Sequence, residues 1–334
     1  MIQKRNSAGI LGTGFFVPEK VVTNADLEKI VDTSNEWIVS RSGIEERHIA
    51  ADDVPVSELA YQAAVKALDD ANVSAEELDL IIVATLTGDY CCPSTACILQ
   101  ERLGAKKAAA FDLSAACSGF VYAAATATQF IENGIYKKVL VIGAETLSKY
   151  IDWQDRNTCV LFADGAGAAV FGEVEEGYGV LSFDLGADGS GEEAIGIPAS
   201  GSRYPITEET IAKRLNRIHM DGKAVYQFAI KVMGKTVETA LEKIQMDKSA
   251  LNWLVPHQAN IRIIQSAAKR LAMPLEKVII NIGKYGNVSA GSIPMALAEA
   301  AAEGKFKKGD IIALAGFGAG LTWASCIMKW AKED

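Results

Sequence analysis

Short runs of β-branched and aliphatic residues alternate with alanine-rich stretches along most of the chain. The apolar runs predict buried strands over residues 80–85, 108–113 and 138–143, and the alanine-rich stretches predict helices over 95–103 and 117–132. Strands that are apolar throughout, with helices between them, are typical of a sheet covered on both faces. The pattern therefore predicts an α/β fold.

The second part of the chain repeats this order. Strands are predicted at 251–255, 277–281 and 310–314, and helices at 260–271 and 292–303. The sequence GIYKK at 134–138 matches GKFKK at 304–308, an offset of 170 residues. This repeat predicts two similar halves, residues 1–175 and 176–334, which face a shared centre. At this offset Cys117 corresponds to Asn287, and Thr87 to His257.

Two polar segments lie outside this repeat. Residues 20–60 are expected to be mostly helical, and residues 173–222, with a helical patch at 207–218, are expected to form a surface excursion that joins the halves. The uncharged runs 113–131 and 311–328 approach membrane-spanning length. Because they are rich in small residues, they are interpreted as buried core, and no membrane association is expected.

Composition excludes several classes of protein. The net charge of −9 argues against a general nucleic-acid-binding surface. The six cysteines are too few for a disulfide scaffold, and without a C-x-x-C pair and with only three histidines they predict no metal site. No signal peptide is recognised, so the expected compartment is the reducing cytoplasm.

Cys117 is the first candidate for chemistry. It lies in SAACSGF, at 114–120, between a predicted strand and a long helix. Unpaired N–H groups and the dipole of a helix N-terminus favour a thiolate there, and small neighbours leave room for a substrate. The alternative is a buried structural cysteine, the more common role.

His257 and Asn287 are the second and third candidates. His257 follows Pro256 at the carboxyl end of a predicted strand, where α/β sheets bind ligands, although a core histidine remains an alternative. Asn287 lies in a glycine-rich turn, where it either caps the following helix or donates a hydrogen bond in a site. A neutral imidazole beside an amide donor suits an enolate. No dinucleotide fingerprint, phosphate-binding loop or serine-hydrolase elbow is present.

Five segments carry a resemblance that covers essentially the whole chain. They are TSNEWIVSRSGI at 33–44, AACSG at 115–119, ADGAGA at 163–168, VPHQAN at 255–260 and YGNVS at 285–289. In these segments the chain resembles the β-ketoacyl-acyl-carrier-protein synthase III family, the condensing enzymes that initiate bacterial type II fatty-acid synthesis. The resemblance implies a thiolase-like fold of five αβαβα layers, a homodimer, and no cofactor beyond coenzyme A thioester substrates.

The resemblance also implies a Cys-His-Asn triad. Cys117 would take an acyl group from acyl-coenzyme A, and malonyl-acyl-carrier protein would then lose CO₂. His257 and Asn287 would donate hydrogen bonds to the thioester oxygen as the enolate forms. The enolate would attack the acyl-cysteine to give 3-oxoacyl-acyl-carrier protein, while the backbone N–H groups of Cys117 and Ala319 would hold the oxyanion.

For coenzyme A, the resemblance implies that Trp37 and Arg156 sandwich the adenine. Arg41 would meet a phosphate, and Asn260 and Gly222 would contact the pantetheine arm. The alternative for Trp37 is a core residue of an amphipathic helix.

Arg262, Lys269 and Arg270 share one face of a predicted helix, and this basic face on an acidic protein would suit an acidic carrier protein. The alternative is a solvated face without a partner. The chain departs from the family at Cys92, where many members carry a phenylalanine that crosses the dimer to the acyl pocket, and at Tyr226, commonly phenylalanine. The smaller Cys92 predicts that longer or branched primers are admitted.

Two other functions remain open on the sequence. One is a related condensing enzyme of secondary metabolism, and the other is a non-catalytic thiolase-fold partner. An intact set of Cys117, His257 and Asn287 disfavours the second. A thiolase proper would carry a second catalytic cysteine near the C-terminus, but Cys326 is interpreted as core.

Overall fold

The computed structural model of the protein describes residues 6–333. The first half has seven strands and five helices. They are β1 Ser7–Phe16, β2 Val21–Thr23, α1 Asn24–Leu27, α2 Asn35–Ser42, β3 Glu46–His48, α3 Val56–Ala71, β4 Leu80–Ala84, α4 Thr95–Leu103, β5 Ala109–Leu113, α5 Gly119–Glu132, β6 Lys138–Thr146 and β7 Asp164–Val174.

The second half has six strands and five helices among the described residues. They are β8 Gly179–Ala187, β9 Ile195–Gly196, α6 Glu208–Ala212, β10 His219–Met220, α7 Gly222–Lys243, β11 Trp253–Pro256, α8 Ile261–Arg270, α9 Ile282–Tyr285, α10 Ser292–Ala302, β12 Ile311–Gly318 and β13 Thr322–Lys329.

Two mixed sheets form the framework. The first has the order β1-β7-β6-β4-β5 and the second has the order β11-β12-β13-β8. Read from β8, the second sheet repeats the strand order of the first, because β8, β13, β12 and β11 take the places of β1, β7, β6 and β4. The predicted division between residues 175 and 176 stays a prediction, and the repeated strand order supports it.

Three apolar cores separate the layers. α3 and α4 pack on the outer face of the first sheet, and α7 and α8 pack on the outer face of the second. α5 and α10 lie between the two sheets, in a core to which both sheets contribute. The α/β fold class is confirmed as an αβαβα arrangement, in which two helices form the central layer.

Glycine makes the central layer possible at the strand ends. A Cβ on Gly143 would lie 2.1 Å from the carbonyl oxygen of Ala290, and one on Gly167 would lie 2.4 Å from the backbone nitrogen of Met295. Any side chain at these positions would push α10 away from the first sheet. The turn before α10 therefore packs directly on strand backbone.

Three sequence-based expectations are wrong. Residues 277–281 do not form a strand, since only Val278 makes a β-bridge, to Leu254. Residues 20–60 hold the two-stranded ribbon of β2 and β3 as well as helices. The segment 173–222 is not only a surface excursion, because β8 lies within it and pairs with β13 over eight residues. Among the described residues, no helix is long and apolar enough to cross a membrane.

Candidate active site

Cys117 lies in a short 3-10 turn, Ala116–Ser118, that leads into α5. The side chain is buried, with 9% of its surface exposed. Gly318, at the end of β12, packs against this turn, and a Cβ there would lie 2.7 Å from the Cys117 nitrogen. The sequence thus places the thiol at the start of a central helix and at the end of a strand of the other half.

The thiolate expected at Cys117 is not favoured in the resting protein. Burial raises the pKa of this thiol to about 12, and the nearby carboxyl of Glu145 acts in the same direction. Desolvation therefore outweighs the helix N-terminus, because little of the side chain remains exposed to water. Cys117 is a neutral thiol at neutral pH and needs a base before it can act as a nucleophile.

His257 follows β11 and is buried, with 1% of its surface exposed. Its backbone N–H donates to the carbonyl of Ala315 at 2.7 Å, and its ring meets Phe317 edge-on at 5.6 Å between centroids. Neither ring nitrogen has a hydrogen-bond partner within residues 6–333. Burial lowers the pKa of His257 to about 3, so the imidazole is neutral. It can donate one hydrogen bond to a substrate without carrying charge.

Asn287 is fixed by backbone contacts on both sides. Its N–H donates to the carbonyl of Leu161 at 2.9 Å, and its own carbonyl accepts from the Ala163 N–H at 2.9 Å. The side-chain Oδ1 accepts from the Ser289 N–H at 2.8 Å. Because the oxygen of the amide is used in this way, the Nδ2 group is the part left to donate into the site.

Cys117, His257 and Asn287 line a single cavity of about 180 Å³, here termed the reaction cavity. Ala319 and Tyr226 line it too. The neutral hydrogen-bond donors of His257 and Asn287 and the neutral thiol of Cys117 surround a mostly apolar space. Such a space suits a reaction in which negative charge develops on a substrate oxygen.

The reaction cavity opens towards the protein surface. Gly222 and Asn260 line it, and they also line an adjoining pocket of about 400 Å³, here termed the entrance pocket. Trp37 and Arg41 line the entrance pocket but not the reaction cavity. A substrate with a long flexible arm can therefore reach Cys117 while its head stays at the surface.

Trp37 has cations on its ring at the entrance pocket. The guanidinium of Arg41 lies 5.6 Å from the ring centroid and that of Arg156 lies 5.3 Å away. The Asn260 side chain links the two walls, since its Nδ2 donates to the Arg41 carbonyl at 2.8 Å and its Oδ1 accepts from the Arg262 N–H. An aromatic ring with two arginines beside it is a suitable platform for a phosphorylated purine.

A second cavity, of about 820 Å³, reaches Cys117 from the other side. It is here termed the large cavity, and its lining includes Thr85, Leu86, Ser289 and Cys91. Cys92 is exposed and does not line it within this chain. The role of Cys92 in an acyl pocket stays a prediction, and it would require the residue to act across a subunit interface.

The basic face on α8 is weaker than the sequence suggests. Arg270 donates to Glu238 through two nitrogens, at 2.8 and 3.0 Å, so an acid on α7 offsets its charge. Arg262 donates to the carbonyl of Ser40, and Lys269 is exposed. A role for this face in binding a carrier protein stays a prediction.

Sequence reasoning missed Glu145. This residue near the end of β6 has no exposed surface, and burial raises its pKa to about 7. The signal was present in the sequence, because Glu145 follows the apolar run VLVIGA, at 139–144, within a single strand. A carboxyl group inside a buried strand is a candidate for a functional role.

Comparison with known proteins agrees with this geometry. The models of the 3-oxoacyl-[acyl-carrier-protein] synthase III family match residues 111–189 and, for the C-terminal part, 241–330. A β-ketoacyl-[acyl-carrier-protein] synthase III of Desulfitobacterium hafniense is 57% identical over 98% of this chain and 99% of that protein. One from Clostridioides difficile is 53% identical, over 97% and 98%.

Solved structures give the same result. The 3-oxoacyl-[acyl-carrier-protein] synthase III of Aquifex aeolicus superposes with a TM-score of 0.89 at 48% identity, covering 97% of this chain and all of the other. The priming β-ketosynthase of the R1128 polyketide pathway superposes with a TM-score of 0.92 at 32% identity, over 100% and 99%. The chain therefore belongs to the β-ketoacyl-[acyl-carrier-protein] synthase III family of condensing enzymes.

Proposed function

We propose that the protein condenses an acyl group from acyl-coenzyme A with malonyl-acyl-carrier protein, through an acyl-cysteine at Cys117. The observation that carries this proposal is that Cys117, His257 and Asn287 line one cavity that opens to the surface beside Trp37 and Arg41. The product would be 3-oxoacyl-acyl-carrier protein, and coenzyme A and CO₂ would be released. Such a reaction initiates fatty-acid synthesis.

The proposed reaction has two steps, and both take place in the reaction cavity. The acyl group moves from the coenzyme A sulfur to the Cys117 sulfur, and the free coenzyme A leaves through the entrance pocket. The malonyl thioester then enters, and its carbonyl oxygen receives hydrogen bonds from His257 and from the Asn287 amide as CO₂ departs. Neutral donors stabilise the enolate without protonating its carbon, so the carbon stays nucleophilic and attacks the acyl-cysteine.

Coenzyme A acts as part of the substrate in this proposal. Trp37, Arg41 and Arg156 would hold the adenine and phosphate groups, while Gly222 and Asn260 would contact the pantetheine arm. Within the described chain, no cluster of three or more His, Cys, Asp or Glu side chains is placed to hold a metal ion. The reducing compartment expected from the sequence stays a prediction.

The test is intact-protein mass spectrometry after mixing with acyl-coenzyme A thioesters of increasing length and branching, followed by peptide mapping. We expect a single adduct on Cys117, and the range of chains that label would show whether primers larger than acetyl are admitted. Thioesters truncated to the pantetheine end lack the groups for Trp37 and Arg156. They should label the same cysteine but only at higher concentrations. A folded sample that no thioester labels would contradict the proposal.

A homodimer is also proposed, with β5 at its interface. β5 is an edge strand that pairs only with β4 among the described strands, and it exposes Ala109 and Phe111 on one face. An open edge with an aromatic side chain favours pairing with a second copy. The adjoining loop exposes Cys91 and Cys92, which would then face the partner.

Sedimentation equilibrium tests the dimer. We expect twice the mass of the chain for the wild type at micromolar concentration, and weaker association for Phe111→Lys, which places a charge in the interface. Ile135→Lys, at an exposed position after α5, is the control and should keep the mass of the dimer. A wild-type monomer would contradict this assignment.

A further inference from the structure

The side chain of Gln258 is buried, with 1% of its surface exposed, and its amide group makes four hydrogen bonds. Its Nε2 donates to the Pro256 carbonyl at 2.8 Å and to the Ile279 carbonyl at 3.0 Å. Its Oε1 accepts from the N–H groups of Asn281 and Ile282, at 3.1 Å each. Because two carbonyls face the nitrogen and two N–H groups face the oxygen, the amide is held in one orientation.

The helix α9 depends on this amide for its first turn. The first N–H groups of a helix have no partner within the helix, and Asn281, which precedes α9, makes no capping bond with its side chain among the described residues. The Gln258 Oε1 supplies this cap from another part of the chain. Since α9 has only the four residues Ile282–Tyr285, its own hydrogen bonds cannot hold it in place.

A single residue, Gly286, separates α9 from Asn287. The Gly286 N–H donates to the Ile282 carbonyl at 2.9 Å, and its φ is 67°. A Cβ at Gly286 would lie 3.2 Å from the Cβ of Ala163 and 3.3 Å from the Cβ of Arg47, so the neighbouring chain encloses this turn. A shift of α9 is therefore transmitted to Asn287 and is not absorbed between them.

The same amide belongs to the turn that carries His257. Gln258 is the next residue in the chain, and its Nε2 closes the turn by donating to the carbonyl of Pro256, at the end of β11. The N–H of His257 holds this residue to the carbonyl of Ala315 in β12. One side chain thus joins the strand end that places the imidazole to the helix that leads to Asn287.

We propose that Gln258 is a positioning residue that sets the direction of the Asn287 amide relative to His257 during decarboxylation. The inference rests on the proposed function, in which both side chains donate to one thioester oxygen. Gln258 does not line the reaction cavity, so it acts through Asn287 and not on the substrate. Two donors that converge on one oxygen must keep their separation, and a misplacement of about 1 Å can lower a rate about 100-fold.

The experiment measures two rates for each variant, the formation of the adduct at Cys117 and the single-turnover release of CO₂ from malonyl-acyl-carrier protein. Gln258→Met has a side chain of similar length that makes none of the four hydrogen bonds. We expect it to lower CO₂ release by about 10- to 100-fold while the adduct forms at nearly the wild-type rate. In the steady state kcat should fall and the KM for malonyl-acyl-carrier protein should stay near its wild-type value.

Combination with the donor variants separates positioning from a general loss of structure. Asn287→Ala has already lost the donor that Gln258 is proposed to position, so Gln258→Met should have no further effect on CO₂ release in that background. In the His257→Ala background the Asn287 donor remains, and Gln258→Met should still lower the rate. A purely structural role would lower the rate in both backgrounds.

A conservative variant and a matched control complete the series. Gln258→Glu keeps an oxygen that accepts from the N–H groups of α9 but loses the NH₂ group, so it should lower CO₂ release by a smaller factor than Gln258→Met. Thr236→Val is the control, because Thr236 is also buried and its hydroxyl bonds Asp184 and Ser325 away from the reaction cavity. This variant should melt at a lower temperature and keep both rates.

Wild-type CO₂ release by folded Gln258→Met would overturn the proposal. An equal loss of both rates would do the same, and so would an undiminished effect of Gln258→Met in the Asn287→Ala background. If Gln258→Met does not fold, Gln258→Glu decides by the same criteria. Failure of the wild type to release CO₂ from malonyl-acyl-carrier protein would contradict the proposed function itself.

Discussion

Cys117→Ser is expected to lose acyl transfer from coenzyme A thioesters by at least about 10³-fold while keeping the fold. A serine hydroxyl in this apolar site is much harder to deprotonate than the thiol, whose own pKa burial already raises to about 12. Replacing sulfur by oxygen in a side chain that is 9% exposed removes little packing volume. Time-resolved intact mass spectrometry measures the adduct, and thermal melting reports the fold.

Cys326→Ala is the matched control for this loss. Cys326 lies in β13 with no exposed surface, inside the central core and away from the reaction cavity. Its replacement leaves a small void and should cost about 1 kcal/mol of unfolding free energy, while the adduct at Cys117 forms at the normal rate. An acyl adduct on Cys117→Ser at wild-type speed would show that the nucleophile is elsewhere.

His257→Ala and Asn287→Ala are each expected to keep acylation at Cys117 but to lose decarboxylation by about 10²–10³-fold, the usual effect of removing one oxyanion donor. Both side chains donate only after the malonyl thioester has entered, so the first half-reaction does not need them. Release of CO₂ from malonyl-acyl-carrier protein, measured separately from the mass of the acyl-enzyme, distinguishes the two steps. Normal decarboxylation by both variants would exclude the enolate assignment.

The low pKa of His257 adds a second signature to this prediction. An imidazole with a pKa of about 3 is neutral throughout the range from about pH 5 to 8 in which histidines usually titrate. The decarboxylation rate should therefore show no step near pH 6.5 that belongs to His257. His48→Ala is the control, because His48 bonds the Pro18 carbonyl outside the reaction cavity and its loss should leave CO₂ release unchanged.

Much of the fold follows from local sequence. The helix predicted over 95–103 has these bounds in the structure, because Ser94 caps its start and Gly104, with a φ of 74°, ends it. The strand predicted over 277–281 fails for a reason that lies elsewhere in the chain. The Gln258 Oε1 accepts hydrogen bonds from the N–H groups of Asn281 and Ile282, at 3.1 Å each. These bonds turn the chain into α9.

The site, like the fold, could be predicted only in part from local sequence. The small residues around Cys117 marked it as a candidate from the sequence, and so did the position of His257 at the end of a predicted strand. The protonation state of Cys117 was not, since it depends on how completely two halves of the chain exclude water from the sulfur. Glu145 escaped notice for a related reason, because the groups that hold its carboxyl group, on Thr85, Leu86 and Thr87, lie 58 to 60 positions earlier in the chain.

The position of α5 and α10 between the two sheets has a consequence for how this protein can diversify. Both helices are enclosed by strands, and α3 and α4 lie on the outer face of the first sheet, so substitutions on α3 and α4 should affect thermal stability more than chemistry. Substitutions on α7 can reach the substrate directly, because Gly222 and Tyr226 line the reaction cavity. The connection between β8 and α7 contributes Ile195 and Met220 to the cavity but only short elements to the framework. Substitutions in that connection should therefore change the shape of the reaction cavity while Cys117, His257 and Asn287 keep their positions.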